Sequence, residues 1–470
     1  MTTLIRGGTL VTATETYAAD ILVEGEQISE ISPSLNRDAR VVIDAAGMLV
    51  LPGGIDPHTH FDLPMFGTVS SDDHYTGHKA AAFGGTTTVM DFVELRDEGF
   101  GPSVDAWMRK AEKAAIDYSF HMNLTRFDEG LAGDLPALRD LGITTLKVFT
   151  AYNGRLRIDD GEIFRALRAA RELGMLVMAH CENGDVIDVL VAEALAAGHR
   201  SPEWHARTRP AWGAMESALR VAGLAASADA PVYIVHVNTG GEVDMIRYAR
   251  ERGVRVMAET CPQYLFFTED ELRRPDGAKW VCSPPMRSNQ DHERIWDGLS
   301  SATLQTVGTD HCPFFYDGTS PIVYEGRSVA IPGKELGRAD FTKIPNGLPG
   351  VQDRMPVLWT AGVASGRLSP NQFVALTSTN AARIFGLYPR KGALLPGSDA
   401  DLVIWDPGKA VKYGTDLSHQ RTDYNLYEGW ELVGYPVKVL LRGKVIVDGD
   451  EWLGHAGDGR FLKRSEGEVL

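Results

Sequence analysis

The sequence predicts an α/β fold, a (β/α)8 TIM-like barrel with a flanking small β-sandwich domain built from both termini. Three observations support this prediction. Short apolar strands alternate with amphipathic helices through the middle of the chain. Both ends contain only short strands separated by Gly, Asn and Asp turns. Side chains that can bind metals recur at the carboxyl ends of the middle strands, where barrel enzymes carry their active sites.

The two ends of the chain are expected to join in one domain, residues 1–51 and 392–453, because neither set of strands can close a core alone. The remaining segment, 454–470, is rich in Gly and charge. We expect this tail to be either disordered or ordered only against a neighbouring subunit. The predicted terminal strands are Thr3–Ile5, Thr9–Thr12, Asp20–Glu24, Gln27–Ile31, Val41–Asp44, Met48–Leu51, Ala400–Trp405, Val437–Leu441 and Lys444–Asp448.

Residues 52–391 are predicted to form the barrel, because eight strand candidates alternate there with helical stretches. The strand candidates are Gly54–His58, Thr86–Phe92, Tyr118–Asn123, Thr144–Phe149, Met175–His180, Val232–Val237, Arg255–Glu259 and Leu304–Asp310. Helical spacing of apolar residues is clearest in Val104–Ile116, Asp160–Leu173, Ala211–Ala225 and Glu242–Glu251.

Ligand-type side chains occur at or near the ends of five of these strands. His58 and His60 are two residues apart, so both point to the same face of their strand and can bind one metal ion. Each residue of the set has a structural explanation on its own, such as a hydrogen-bonded core histidine or a helix-capping aspartate. Their joint occurrence on one rim indicates a functional site. The set is His58, His60, Lys147, His180, His236 and Asp310.

Lys147 is the least expected member of the set. It lies in the apolar stretch Thr144–Tyr152, where an unpaired ammonium group would be costly. An ammonium cannot bind a metal ion, but a buried lysine favours the neutral, nucleophilic amine. If that amine reacts with carbon dioxide, the resulting carbamate is anionic and offers two oxygens, which can bridge two cations.

Composition narrows the range of partners. The formal net charge is −16 and no basic run is present, which argues against a nucleic-acid partner. The N-terminus lacks a signal-peptide core and no apolar stretch is long enough to span a bilayer, so we expect a cytoplasmic protein with no membrane partner. The four widely spaced cysteines are expected to be reduced thiols.

Several specific strings resemble the amidohydrolase superfamily, and within it the dihydropyrimidinase and D-hydantoinase branch. The resemblance extends over nearly the whole chain. It is carried by His58-x-His60, Lys147, Met178–Asn183, Val235–His236 and Gly308–Phe314, and by Gly84–Phe92, Pro202–His205, Cys282–Arg287, Ile344–Gly347 and Gly397–Val403.

The resemblance implies a binuclear zinc centre with a bridging hydroxide. Lys147 would be carboxylated (N6-carboxylysine) and would give one oxygen to each ion. Asp310 would also carry the proton from the hydroxide to the departing nitrogen. The implied ligands are His58, His60 and Asp310 on one zinc ion, and His180 and His236 on the other.

The implied reaction is hydrolytic opening of dihydrouracil, dihydrothymine and/or 5-substituted hydantoins to N-carbamoyl amino acids. Tyr152 would stabilise the oxyanion, and backbone groups of Ser283 and Asn346 would bind the cyclic imide. The stretches 61–68 and 153–158 would line the pocket for the ring substituent. The predicted apolar wall consists of Phe61, Leu63, Met65 and Phe66. The resemblance also implies a homotetramer.

Alternative functions exist within the same superfamily. Asp62 occupies the position where dihydroorotases and allantoinases carry Arg or Asn, which argues against a carboxylated substrate such as dihydroorotate. Allantoinase activity remains the second candidate. A non-catalytic, oligomer-forming relative is a third, although such relatives have lost metal ligands and this chain keeps them. We expect His74, His78 and His205 to be structural. His121 and His311 are candidates for supporting the metal ligands.

Overall fold

The computed structural model describes residues 2–65, 67–317, 321–324 and 326–470. Within these residues the middle of the chain forms an eight-stranded parallel sheet whose strands follow one another in chain order. This confirms the predicted barrel. The barrel strands, numbered here β1 to β8, are Gly54–Thr59, Thr86–Val93, Asp117–Asn123, Thr145–Phe149, Leu176–His180, Val232–Ile234, Val256–Thr260 and Thr306–Val307.

The barrel is closed by backbone hydrogen bonds between the end of β1 and the segment that follows β8. The amide of Asp310 donates to the carbonyl of His58 at 2.9 Å, and the amide of His60 donates to the carbonyl of His311 at 2.8 Å. Two predicted metal ligands, His58 and Asp310, are therefore joined by the main chain as well as by their side chains. The seam that completes the barrel also builds its rim.

Helices cross over between the strands and cover the outside of the barrel. The helix from Asp160 begins with a capping box, in which Asp159 and Glu162 satisfy each other's backbone amides. The α-helices, numbered α1 to α13, are Thr76–Phe83, Phe100–Lys110, Glu129–Asp140, Asp160–Glu172, Gly184–Ala196, Glu203–Arg207, Ala211–Ala228, Gly240–Arg250, Gln263–Phe266, Asn289–Ser300, Arg354–Leu358, Pro370–Val374 and Asn380–Ile384. Short 3-10 helices span Ala111–Lys113, Glu269–Arg273, Gly277–Trp280, Lys334–Gly337 and Phe341–Lys343, and π-helical turns span Trp359–Ala364 and Ala375–Thr379.

Both termini build one mixed sheet beside the barrel, as predicted, and its nine strands are hydrogen-bonded into one network. The strand Leu49–Pro52 joins the two halves, because it pairs parallel with the first strand and antiparallel with Leu402–Lys412. The nine strands are Thr2–Val11, Thr16–Glu24, Gln27–Ser32, Val41–Asp44, Leu49–Pro52, Leu402–Lys412, Glu431–Leu441, Lys444–Asp448 and Glu451–Trp452. Two separate hairpins pair Pro64–Met65 with Thr68–Val69 and Pro321–Tyr324 with Arg327–Ala330.

The C-terminal tail is ordered on its own chain, so the expectation that it would be disordered, or ordered only against a neighbouring subunit, is wrong. The amide of Leu462 donates to the carbonyl of Tyr118 at 2.7 Å, and the Leu462 side chain is fully buried. The buried guanidinium of Arg464 donates to Thr145 Oγ1 at 2.7 Å. These contacts lie at the N-terminal ends of the barrel strands, so the tail covers the floor of the barrel, opposite the rim that carries the predicted ligands.

Candidate metal centre and substrate pocket

The first group of predicted ligands converges at the seam of the barrel. Asp310 Oδ1 lies 3.2 Å from His58 Nε2 and 3.0 Å from His60 Nε2. The three ligand atoms lie within 4.8 Å of one another, which is compact enough to surround one metal ion. Burial opposes ionisation of Asp310, but the neighbouring His58 and His60 hold its pKa well below the usual range. The carboxylate is therefore anionic and ready to bind a cation.

The second predicted pair lies on β5 and just after β6. His180 Nδ1 is 3.0 Å from His236 Nε2. Burial lowers the pKa of both histidines, so both rings are kept neutral with a lone pair available to a metal ion. All five predicted histidine and aspartate ligands thus reach one end of the barrel.

Lys147 lies on β4 among these ligands. Its side chain is buried, and its Nζ is 5.0 Å from the centroid of the Phe92 ring and 5.2 Å from that of Phe149. Among the described residues it forms no ion pair with a carboxylate. Burial lowers its pKa to about 8, which favours the neutral amine. A buried amine without a carboxylate ion pair, close to the neutral imidazoles of His180 and His236, fits a lysine that is carboxylated to bind metal ions.

Two buried carboxylates that sequence reasoning missed hold the ligand histidines in place. Glu259, the penultimate residue of β7, accepts a short hydrogen bond from His58 Nδ1. Glu182 Oε2 accepts from His180 Nε2 at 2.8 Å and from Arg209 Nη1 at 2.7 Å. A carboxylate behind a metal-binding histidine fixes its tautomer and orientation. Glu182 lies in the string Met178–Asn183, and Glu259 ends the predicted strand Arg255–Glu259. Their positions at the carboxyl ends of barrel strands could have indicated a role at this site.

Three of the predicted site residues adopt a left-handed backbone conformation. The φ angles are 68° for Tyr152, 40° for His236 and 53° for Asp310. Non-glycine residues rarely adopt such angles, each costs of order 1 kcal/mol or more, and such strain concentrates at functional sites. Here the chain turns sharply after β4, β6 and β8, and the turn aims each side chain into the mouth of the barrel.

A pocket with a volume of ≈ 430 Å³ opens above these ligands. Tyr152, Ser283 and Asn346 all line it, and Asn346 Nδ2 donates to Ser283 Oγ at 3.0 Å. Burial raises the pKa of Tyr152 to about 12, so its hydroxyl stays protonated and can donate a hydrogen bond. The lining residues are His58, His60, Leu63, Pro64, Met65, Glu94, Asn123, Lys147, Phe149, Tyr152, Arg155, Leu156, His180, His236, Ser283, Asp310, Cys312 and Asn346.

The predicted apolar wall needs correction. Leu63 and Met65 line the pocket, but Phe61 does not, because its ring is fully buried against His74, His78 and His311. Phe66 lies outside the described residues.

The argument from Asp62 against carboxylated substrates also fails. Asp62 is buried, contacts His74 at 3.2 Å and Lys113 at 3.4 Å, and does not line the pocket. The pocket instead contains a cation that sequence reasoning did not single out, Arg155.

The other histidines are largely held by hydrogen bonds. His205 Nε2 lies 2.8 Å from the carbonyl of Cys282 and His311 Nε2 lies 3.1 Å from Asp72 Oδ2. His121 contacts Thr145 and the carbonyl of Pro57, below His58. None of these rings is among the residues that line the pocket.

Comparison with known proteins places this geometry in a family, because residues 49–446 match the amidohydrolase family. The chain belongs to the amidohydrolase family. It is 44% identical to a D-hydantoinase of Geobacillus stearothermophilus over 99% of this chain and 97% of that protein. It superposes on the crystal structure of a dihydropyrimidinase from Brevibacillus agri with a TM-score of 0.95, 45% identity and full coverage of both chains.

Another similar structure is an L-hydantoinase (dihydropyrimidinase) from Arthrobacter aurescens, with a TM-score of 0.86 and 27% identity over 98% of this chain and 99% of that one. The predicted resemblance to the dihydropyrimidinase and D-hydantoinase branch of the family is therefore confirmed.

No helix in the described part of the chain combines the length and apolarity required to traverse a bilayer.

Proposed function

We propose that this amidohydrolase family member opens the ring amide of dihydropyrimidines, such as dihydrouracil and dihydrothymine, and of 5-substituted hydantoins, giving N-carbamoyl amino acids. The observation that carries the proposal is the convergence of His58, His60, His180, His236, Lys147 and Asp310 at one end of the barrel, beneath a pocket of ≈ 430 Å³. The D-hydantoinase and dihydropyrimidinase relatives support the substrate class.

Two zinc ions per chain would be held by these residues. His58, His60 and Asp310 would bind one ion, His180 and His236 the other, and carboxylated Lys147 would contact both. Bound zinc supplies Lewis-acid polarisation of a carbonyl and a water of lowered pKa.

The chain's own residues supply the proton transfer and the orientation of the substrate. Asp310 is anionic, so it can accept a proton from the attacking water and pass it to the departing ring nitrogen. Tyr152 keeps its proton and can donate a hydrogen bond to the carbonyl oxygen as negative charge develops there. Main-chain groups at Ser283 and Asn346 would bind the imide edge, and Lys334 supports the two loops by donating to the carbonyls of Val281 and Pro345.

The test is a panel of cyclic amides assayed for ring opening, with zinc measured in parallel. We expect turnover of dihydrouracil and 5-substituted hydantoins. Faster turnover of allantoin or dihydroorotate than of both would refute the proposal. A zinc-loaded protein that opens none of the panel would favour the non-catalytic alternative.

Replacement of the proton carrier gives a sharper test. Asp310→Asn should keep its metal, because the amide oxygen can still bind, yet lose turnover by roughly 10²-fold or more, because an amide cannot shuttle a proton. The exposed Asp97→Asn is a matched control and should behave as the wild type. Near-normal turnover in Asp310→Asn would contradict the role assigned to it.

We also propose a cytoplasmic homotetramer. The four cysteines are free and buried, which suits a reducing compartment. Val189 on α5 and Trp212 on α7 have exposed fractions of 57% and 75%, which suits burial by another copy of the chain. Light scattering should give four chains per particle, and a monomer at working concentration would contradict this.

A further inference from the structure

The proposed chemistry leaves one polar pair in the pocket without a role. Glu94 follows the last residue of β2, and Asn123 is the last residue of β3. Both line the pocket together with the metal ligands. Asn123 Nδ2 donates to Glu94 Oε1 at 2.5 Å.

The two members of the pair differ in accessibility. Asn123 is buried, with an exposed fraction of 2%, and its Oδ1 has no hydrogen-bond partner among the described residues. Glu94 is only partly buried and lines the pocket. Asn123 therefore orients Glu94, and Glu94 is the group that a ligand can touch.

The position of the pair around the barrel indicates which part of a ligand it meets. Ser283 and Asn346 lie on the loops after β7 and β8, and the metal ligands lie between those loops and the ends of β2 and β3. If the imide edge binds on the β7 and β8 side, the opposite side of the ring points to Glu94. The apolar residues Leu63 and Met65 line the same pocket, so a substituent there would meet apolar side chains as well as the hydrogen-bond acceptor of Glu94.

We propose that Glu94 is a specificity-determining residue that accepts a hydrogen bond from an O–H or N–H group on the ring substituent, with Asn123 as its positioning residue. The pocket would then select cyclic ureides whose substituent carries such a donor. This inference rests on the proposed function for the orientation of the ring. The competing candidate is Arg155, which is exposed and lines the same pocket, and which would favour an anionic substituent.

Three hydantoins of nearly equal shape distinguish selection by Glu94 from selection by Arg155. Their groups at carbon five are carbamoylmethyl, a neutral donor; isobutyl, which is apolar; and carboxymethyl, an anion. The measured quantity is the ratio of kcat/KM for carbamoylmethyl to that for isobutyl. It is internal to each enzyme preparation, so partial misfolding or metal loss cancels.

Glu94→Leu should lower this ratio roughly tenfold or more, because it removes a hydrogen-bond acceptor from the pocket. Asn123→Leu should lower it by a smaller factor. Glu94→Gln keeps an acceptor, so it should preserve much of the ratio while improving turnover of the carboxymethyl compound. Asp97→Asn removes a negative charge from the same loop outside the pocket and should leave the ratio unchanged.

An unchanged ratio in Glu94→Leu would overturn the inference, as would a wild-type preference for carboxymethyl over carbamoylmethyl. Calorimetric binding of the three compounds to zinc-loaded Asp310→Asn, compared with the double variant that also carries Glu94→Leu, gives the same ratio from Kd. Binding that follows the expected order without ring opening by the wild type would support Glu94 and refute the proposed function. If the wild type opens the ring but Glu94→Leu leaves the carbamoylmethyl-to-isobutyl ratio unchanged, the proposed function would be supported and the role of Glu94 refuted.

Discussion

Two of the barrel's buried groups of charges lie at its opposite ends, and they are built differently. At the floor, Lys391 Nζ lies 2.7 Å from Asp117 Oδ2 and 2.7 Å from Asp401 Oδ2, and Arg442 also pairs with Asp117. At the rim, Lys147 has two aromatic rings as neighbours and no carboxylate in an ion pair among the described residues.

The difference separates a structural role from a functional one. A buried charge that is paired can be maintained by the fold alone, whereas a buried amine without a counter-ion needs a further reason to be there. The floor lysine has a raised pKa, because neighbouring carboxylates outweigh its burial, and stays cationic. The rim lysine has a pKa lowered to about 8 by burial. The pKa values of these two buried lysines thus shift in opposite directions, because only the floor lysine has carboxylates close enough to outweigh its burial.

The largest effect is expected at the rim. Lys147→Ala should lose its zinc together with its activity, by roughly a thousandfold, because carboxylated Lys147 is proposed as a ligand of both ions. Zinc content and turnover of dihydrouracil should fall together, and a short carboxylic acid added to the variant should restore part of both. Full retention of zinc would show that Lys147 does not bind the metal ions. The functional difference between the rim lysine and the floor lysine would then no longer hold.

Substitution of the floor lysine should change the stability of the protein rather than its activity. Lys391→Met leaves the carboxylates of Asp117, Asp399 and Asp401 without one of their cations, so the free energy of unfolding in urea should fall by about 3–5 kcal/mol. The folded fraction should keep its zinc and its turnover. Lys444→Met removes an exposed pair with Asp458 and should change stability by about 0–1 kcal/mol. A loss of zinc in Lys391→Met, with stability unchanged, would reverse the two roles.

A smaller effect is expected behind the metal ligands. Glu259→Gln weakens the group that orients His58, so zinc affinity should fall by about 10–100-fold while the fold persists. Zinc competition with a chelator measures this. Glu293→Gln, which changes an exposed ion pair with Arg367, is the matched control. An unchanged zinc affinity in Glu259→Gln would mean that the backbone alone orients His58.

The sequence was sufficient to predict the barrel and the convergence of the proposed ligands at one rim, because both follow local rules. Strand and helix periodicities identify the eight units, and residues at strand ends must reach one rim. It was insufficient where the outcome depends on side-chain direction within a loop. Phe61 and Leu63 are two residues apart in an apolar segment, yet only Leu63 faces the pocket. The order of the tail was missed because Leu462 is buried by distant strands.

The smallest predicted effect tests that distinction between Phe61 and Leu63. Leu63→Ala removes apolar surface that a benzyl group would contact, so the ratio of kcat/KM for 5-benzylhydantoin to that for 5-methylhydantoin should fall by about fivefold, equivalent to about 1 kcal/mol. Zinc content should not change, because Leu63 is not a proposed metal ligand. Phe61→Leu shrinks a side chain packed against Gly77 and three histidines, so it should lower stability by about 1–2 kcal/mol and leave the ratio alone. The opposite result, a changed ratio in Phe61→Leu and none in Leu63→Ala, would place Phe61 in the wall and restore the expectation that the fold contradicts.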